Sequence, residues 1–312
     1  MTSFTAEHDA TAELSFLWLE ITGKCPLHCT HCYAESGPRE THGVMTDKDW
    51  QRVISDAATL GVRMVQFIGG EPTLHPSLPE LVGHALERGL AVEVFSNLVH
   101  VSPRLWSVFG LPGVRLATSY YADQADQHET ITARRGSHLR TMANIAEAVQ
   151  RSIPLRVGLI DIMHSQRVEQ ARAQLVQLGV TNINTDRLRH VGRGAREQRA
   201  DVSQLCGGCA HGKVAVANNG NVWPCVFARW MPIGNVQETP LRHIVTASRM
   251  DAVRAQLGDP PLPAAECPPK TPKCGPETKC HPADNPCQPH CPPSYHSTPK
   301  RCWPYYYQEN NR

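Results

Sequence analysis

The sequence predicts an α/β fold with a parallel sheet, on three observations. Short apolar runs alternate with amphipathic helical stretches in units of about thirty residues, the pattern of βα repeats joined by right-handed crossovers. Cys-rich and Gly-rich motifs fall directly after predicted strands, at the sheet end where ligands gather in such folds. The cysteines lie at 25–32, 206–225 and 267–302, with none from 33 to 205, so the scaffold between them needs none.

The elements read in order as follows. SFLWLEIT (15–22) is the first strand, and TDKDWQRVISDAATLG (46–61) a helix with Thr46 as N-cap and Gly61 as stop. MVQFIGG (64–70) is the second strand, and PSLPELVGHALERG (76–89) a helix closed by Gly89. AVEVFSN (91–97), VRLATSYY (114–121) and PLRVGLIDI (154–162) supply three more strands, and TNINTDRLR (181–189) a sixth. SHLRTMANIAEAVQR (137–151) and RVEQARAQLVQLGV (167–180) are amphipathic helices. KCPLHCTHC follows strand one, GGEP follows strand two and Ser96-Asn97 ends strand three, so all three gather at one mouth.

A chain of 312 residues has room for one large or two medium domains. A formal net charge of +2 points to neither a nucleic-acid partner nor a basic membrane patch. No run approaches 18 apolar residues, which excludes a membrane-spanning helix. The N-terminus lacks a charged segment followed by an apolar one, so no secretory signal is read and the protein is expected in the cytoplasm. Thiols stay reduced there, and the twelve cysteines point to metal or catalysis rather than disulfides.

Cys25, Cys29 and Cys32 have the spacing C-x3-C-x2-C. His28 and His31 interleave them and could complete a four-ligand zinc site, so spacing alone leaves zinc open beside iron–sulfur. With Tyr33 next, and with Gly69, Gly70, Glu71 and Pro72 after the second strand, the arrangement resembles the radical SAM superfamily. The resemblance implies a partial (β/α)6 TIM-like barrel. It also implies a [4Fe–4S] cluster on Cys25, Cys29 and Cys32, whose fourth iron takes S-adenosyl-L-methionine (SAM). One electron then yields methionine and a 5′-deoxyadenosyl radical that abstracts hydrogen from a substrate carbon. In that family the GGEP backbone meets the SAM amino group. Ser96 and Asn97 match the polar pair near the ribose, Ser119 matches a further contact, and Arg140 is a candidate for the carboxylate. Ordinary strand-end caps explain the three polar residues nearly as well, and a solvated helix face explains Arg140.

LCGGCAHGKVAVANNGNVWPCVFARWMPIGNV (205–236) carries the next cysteines, with Asn218-Asn219-Gly220 as a hairpin turn. A zinc ribbon is one reading. The segment also resembles the SPASM and twitch extensions of radical SAM enzymes, which implies an auxiliary iron–sulfur cluster. Cys209–Gly220–Cys225 fits that opening and Cys206 fits it too, so spacing does not choose between them. From 259 onward proline and cysteine dominate. Cys267, Cys274, Cys280, Cys287, Cys291 and Cys302 only partly follow the SPASM spacing. They are candidate ligands that complete the first auxiliary cluster, build a second, or bind zinc. The domains expected are an N-terminal extension (1–14), a radical SAM core (15–200), an auxiliary-cluster segment (201–258) and a Cys/Pro-rich tail (259–312).

The resemblance implies a maturase that crosslinks, epimerises or forms a thioether in a ribosomally made peptide, as in natural-product biosynthesis. It implies an electron donor such as flavodoxin or ferredoxin. A second reading gives the same chemistry a sugar, aminocyclitol or nucleoside substrate. The short stretch before the first strand, with no room for a peptide-binding domain, favours that reading. A third is a non-enzymatic zinc- or iron-binding scaffold. His100, His128, His164 and His190 read as surface or core residues, and RHVGRGA (189–195) as a candidate glycine-rich turn at the mouth.

Overall fold

A computed structural model describes residues 13–257. Six parallel strands follow in order: β1 (Phe16–Glu20), β2 (Met64–Ile68), β3 (Ala91–Phe95), β4 (Val114–Tyr120), β5 (Leu155–Asp161) and β6 (Asn182–Arg187). Each pairs with the next in sequence. Helices α1 (Asp47–Thr59), α2 (Leu78–Glu87), α3 (Pro103–Phe109), α4 (Ala125–Thr132), α5 (Ser137–Gln150) and α6 (Val168–Gln177) fill the crossovers.

The sheet exceeds the expected six strands by three. β7 (Lys213–Ala217) pairs in parallel with the other edge of β1, Phe16 opposite Lys213 and Trp18 opposite Ala215. β8 (Asn221–Trp223) and β9 (Gly234–Asn235) continue the sheet antiparallel. The order is β6-β5-β4-β3-β2-β1-β7-β8-β9, so the barrel stays open between β6 and β9. The predicted hairpin exists, but as an extension of the core sheet. Helices α7 (Leu241–Ile244) and α8 (Ala247–Leu257) close the described chain.

Strand parity divides the core. Leu17, Leu19, Val65, Phe67, Val92 and Val94 face the helices, where they join Trp50, Leu81 and Phe109. α1 shows why such helices form. Thr46 and Asp49 cap its start reciprocally, and Trp50, Val53, Ile54 and Ala57 bury one stripe. α3 and α4 escape sequence reading for opposite reasons. α3 has a Ser102 cap and Pro103 but only seven residues, whereas α4 has no side-chain cap and ends on Ala133 in a left-handed conformation.

The inner face holds Phe16, Trp18, Met64, Ile68, Ala215 and Ala217, with charges deeper in. Glu93 on β3 accepts from Arg156 Nε at 2.8 Å and Nη2 at 2.6 Å. Arg115 stands 2.8 Å from the same carboxylate, and Gln66 also donates to it. Burial pushes the Glu93 carboxyl up, but Arg156 and Arg115 outweigh it and hold it below the usual range.

Candidate active site

The Cys25–Cys32 loop leaves β1 and is tied down from three sides. His28 N donates to Thr132 O at 3.1 Å and Thr30 N to Ile131 O at 2.9 Å, both at the end of α4. Gly70 N donates to Thr22 O at 2.6 Å and Glu71 N to Lys24 O at 2.9 Å, which pins the loop to the GGEP segment. The third tie is the RHVGRGA turn. Arg193 donates from Nε to Cys29 O at 2.8 Å, from Nη2 to Ser36 O at 2.7 Å and from its backbone N to Cys32 O at 3.0 Å. The glycines of GGEP permit this approach, because a Cβ on Gly69 would lie 2.3 Å from Thr22 O and one on Gly70 2.5 Å from Lys24 O.

Glu71 lies behind the wall as a brace. Its carboxylate accepts from Asn97 N at 2.7 Å, Thr73 N at 3.1 Å and Thr73 Oγ1 at 2.7 Å. Burial raises its pKa, and these bonds oppose the rise. Asn97, so fixed, directs Nδ2 to Cys25 Sγ at 3.7 Å. α5 supports the same loop, with Thr141 Oγ1 donating to Asn97 O at 2.9 Å and Asn144 Nδ2 to Leu98 O at 2.7 Å. Pro72 and Ser96 are buried but do not line the mouth. Arg140 is exposed on α5 and is not among the residues that line the cavity. It is turned to water because the inward face of that helix is taken by Thr141 and Ile145.

The mouth encloses a cavity of about 270 Å³. Cys25, Cys29, Cys32, Gly69, Gly70, Asn97 and Ser119 line it, and so do Cys206 and Cys225. Trp18, Tyr33, Phe95, Tyr121 and Phe227 give it aromatic walls. The structure thus brings two of the three cysteine groups to one space. The six cysteines at 267–302 lie outside the described residues.

The thiols at the mouth are poorly suited to remaining free anions. Burial, with the charge of Glu71 adding, pushes Cys25 up to about 12. Burial and the neighbouring Cys32 and Cys25 raise Cys29 as well. Buried thiols gathered in this way ionise when a cation stands among them, which is what iron supplies. Ligands of one zinc ion would stand about 3.7 Å apart. Among the described residues no three His, Cys, Asp or Glu converge as a single-ion site. Three cysteines lining one cavity are the donor type an iron–sulfur cluster takes, so Cys25, Cys29 and Cys32 are the residues that could hold one. His31, offered above as a zinc ligand, faces the cavity with its Nε2 3.3 Å from Tyr121 OH. Burial, with Arg193 adding, lowers its pKa to about 4.

The auxiliary cysteines form a second group. Ala210 N donates to Pro224 O at 3.2 Å, closing the Cys209 loop onto the Cys225 segment. Cys209 Sγ donates to Cys225 Sγ at 2.9 Å, which raises the first thiol and lowers the second. Two contacts join this group to the first. Tyr33 and Phe227 meet edge to face at 5.1 Å between ring centroids. Arg229 donates to both carboxylate oxygens of Glu20 at 2.7 and 2.8 Å, and its guanidinium lies 4.1 Å over Trp223.

Several residues at the site carried no motif. His128, read as incidental, is buried and lines the cavity among Tyr120, Tyr121 and His138. Lys213 and Arg229 looked like ordinary chain. For Lys213 the available signal is a charge at the head of an otherwise apolar strand, KVAVA.

An open parallel barrel with three thiols at its C-terminal mouth is the architecture of an iron–sulfur enzyme family. The profile of the Radical SAM superfamily matches residues 19–178, and the chain belongs to that superfamily. The SPASM iron-sulfur cluster-binding domain matches residues 206–274, a span that also takes in Cys267 and Cys274. PqqA peptide cyclase from Bradyrhizobium diazoefficiens is 28% identical over 171 residues, 54% of this chain and 44% of that protein. Fe-coproporphyrin III synthase from Methanosarcina barkeri is 27% identical over 190 residues, 59% of this chain and 46% of that protein. The chain spans about half the length of the curated relatives it matches. Among solved structures, Streptococcus suis SuiB bound to S-adenosylmethionine superposes with a TM-score of 0.65 at 15% identity, covering 80% of this chain and 69% of that one. Native anSMEcpe with bound AdoMet and a Cp18Cys peptide gives 0.60 at 13% identity, covering 81% and 86%. No helix among the described residues is long and apolar enough to cross a membrane.

Proposed function

We propose that this chain is a radical SAM enzyme that modifies a ribosomally made peptide by a crosslink, a thioether or an epimerisation. The observation that carries the reading is that both cysteine groups line one aromatic-walled cavity. Cys25, Cys29 and Cys32 hold the SAM-binding cluster. Gly69, Gly70, Asn97 and Ser119 contact SAM, while Glu71 orients Asn97. When bound, cluster and SAM supply a carbon radical that removes hydrogen from substrate. Cys206, Cys209 and Cys225 hold an auxiliary cluster. Trp18, Phe95 and Phe227 exclude water and shape the substrate's place. A carrier protein of the flavodoxin or ferredoxin kind delivers the electron, in the reducing cytoplasm.

Similarity to PqqA peptide cyclase supports a peptide substrate, as does structural likeness to SuiB, a structure of which holds its precursor peptide SuiA. The test incubates reduced holoenzyme and SAM with the peptides encoded beside its gene, following mass. Loss of two hydrogens indicates a crosslink or thioether. A mass raised only in D2O indicates epimerisation. No change in either solvent sinks the peptide reading and leaves a small-molecule substrate.

A further inference from the structure

We infer that Lys213 is a fixed positive charge that raises the reduction potential of the auxiliary site formed by Cys206, Cys209 and Cys225. The inference rests on the proposal that those cysteines bind an iron–sulfur cluster.

Lys213 opens β7 and is only 6% exposed. Strand parity puts it on the same face as Ala215 and Ala217, and those alanines pack in one cluster with Cys209 and Cys225. The side chain reaches the shared cavity, which it lines together with Cys206, Gly208 and Cys225. Strand face, burial and cavity lining therefore agree in putting Lys213 on the side of the cavity that holds this sulfur group.

The consequence follows from counting charge. Taking up one electron makes a cluster one unit more negative, and a nearby cation stabilises that reduced form more than the oxidised one. Inside a protein the effect is weakly screened. Net charge around a cluster is one of the levers that set its potential. In a two-electron oxidation the substrate first gives a hydrogen atom to the SAM-derived radical. The substrate radical would then lose one proton to solvent and one electron, and a cluster held by Cys206, Cys209 and Cys225 would be the group to accept that electron. Lys213 favours that last transfer.

The test uses full-length holoprotein, reconstituted anaerobically, as wild type and as Lys213→Met, Lys213→Gln and Lys213→Arg. Both cluster potentials are followed by EPR during a redox titration, the first cluster being recognised by the change SAM makes to its signal. The neutral variants are expected to lower the auxiliary midpoint, by about 59 mV for a tenfold change in the one-electron equilibrium. The SAM-binding cluster should stay in place, and Lys213→Arg should restore the wild-type value. Auxiliary iron lost from both neutral variants but kept in Lys213→Arg also supports the assignment, since assembly then needs the cation. An unmoved auxiliary midpoint overturns it, as does an equal shift of both clusters or iron loss in all three variants. Wild type that reconstitutes only one cluster removes the auxiliary site itself, an outcome visible before any variant is made.

Discussion

Gly192 sits against the backbone of Tyr33 so closely that a Cβ there would lie 2.4 Å from Tyr33 O and 2.6 Å from Cys32 O. Its φ of +56 also lies in the left-handed region. The turn after β6 thus clasps the cysteine loop through a residue that has to lack a side chain. Gly192→Ala should cost on the order of 1–3 kcal/mol. It should also lower iron retained at the first cluster, read as iron per chain beside the melting temperature. A variant with full iron and an unchanged melt would remove the clasp.

Glu71→Gln keeps the shape but presents an acceptor on one side only, while Asn97 N and the Thr73 donors approach both carboxylate oxygens. About 1–3 kcal/mol should be lost from the unmatched buried donor. SAM should bind more weakly as Asn97 shifts, measured by calorimetry on holoenzyme. Wild-type affinity would show that Asn97 is held by α5 alone.

Glu93→Gln strips the charge facing Arg156 and Arg115 inside the barrel. Removing one charge of a buried ion pair costs about 3–5 kcal/mol. The sign with pH follows from the depressed Glu93 pKa. Its contribution is present above the unfolded carboxylate value and is lost as pH falls through the lower folded one. Denaturant melts of the variant should therefore be weaker at neutral pH and flatter in acid than those of wild type.

His128 titrates in the same direction from the other side. Burial, with His138 adding, lowers it to about 3 from an ordinary 6.5. The neutral ring is the folded form, so stability is full above the unfolded value and falls as pH drops from there toward about 3. At about pH 5 the loss is on the order of 2 kcal/mol. His128→Gln should lose less between about pH 7.5 and 5 in urea melts, and a parallel loss would reject this origin.

Cys225→Ala separates the two sites. SAM cleavage measured as 5′-deoxyadenosine should continue while modified product disappears, whereas alanine at Cys25, Cys29 and Cys32 should abolish both. Product from the Cys225 variant would make the auxiliary site dispensable.

The order of the six strands and the place of the mouth were legible because apolar runs and caps are local signals. Thr46 with Asp49, and the stop at Gly61, needed no tertiary information. The three thiols and GGEP were legible for the same reason. What escaped depends on contacts made across the fold. KVAVA reads as a hairpin arm, and nothing in its own residues says that it will take the open edge of β1. Arg193 reads as a basic turn residue, and its value lies in carbonyls 157 and 164 positions away. His128 gains its place only when α4 folds over the mouth, and that short helix carries no cap to announce it.

The shared ladder between β1 and β7 has an engineering consequence. A cut near residue 200, at the expected boundary between core and auxiliary segment, strips β1 of its second partner and exposes an unpaired edge of five buried residues that invites aggregation. Nor can either half be slid along the other. One residue inserted in β7 would displace it by about 3.3 Å and turn its inward side chains outward. The separation of the two cysteine groups is therefore written into one run of backbone hydrogen bonds, and no linker can be lengthened to retune it.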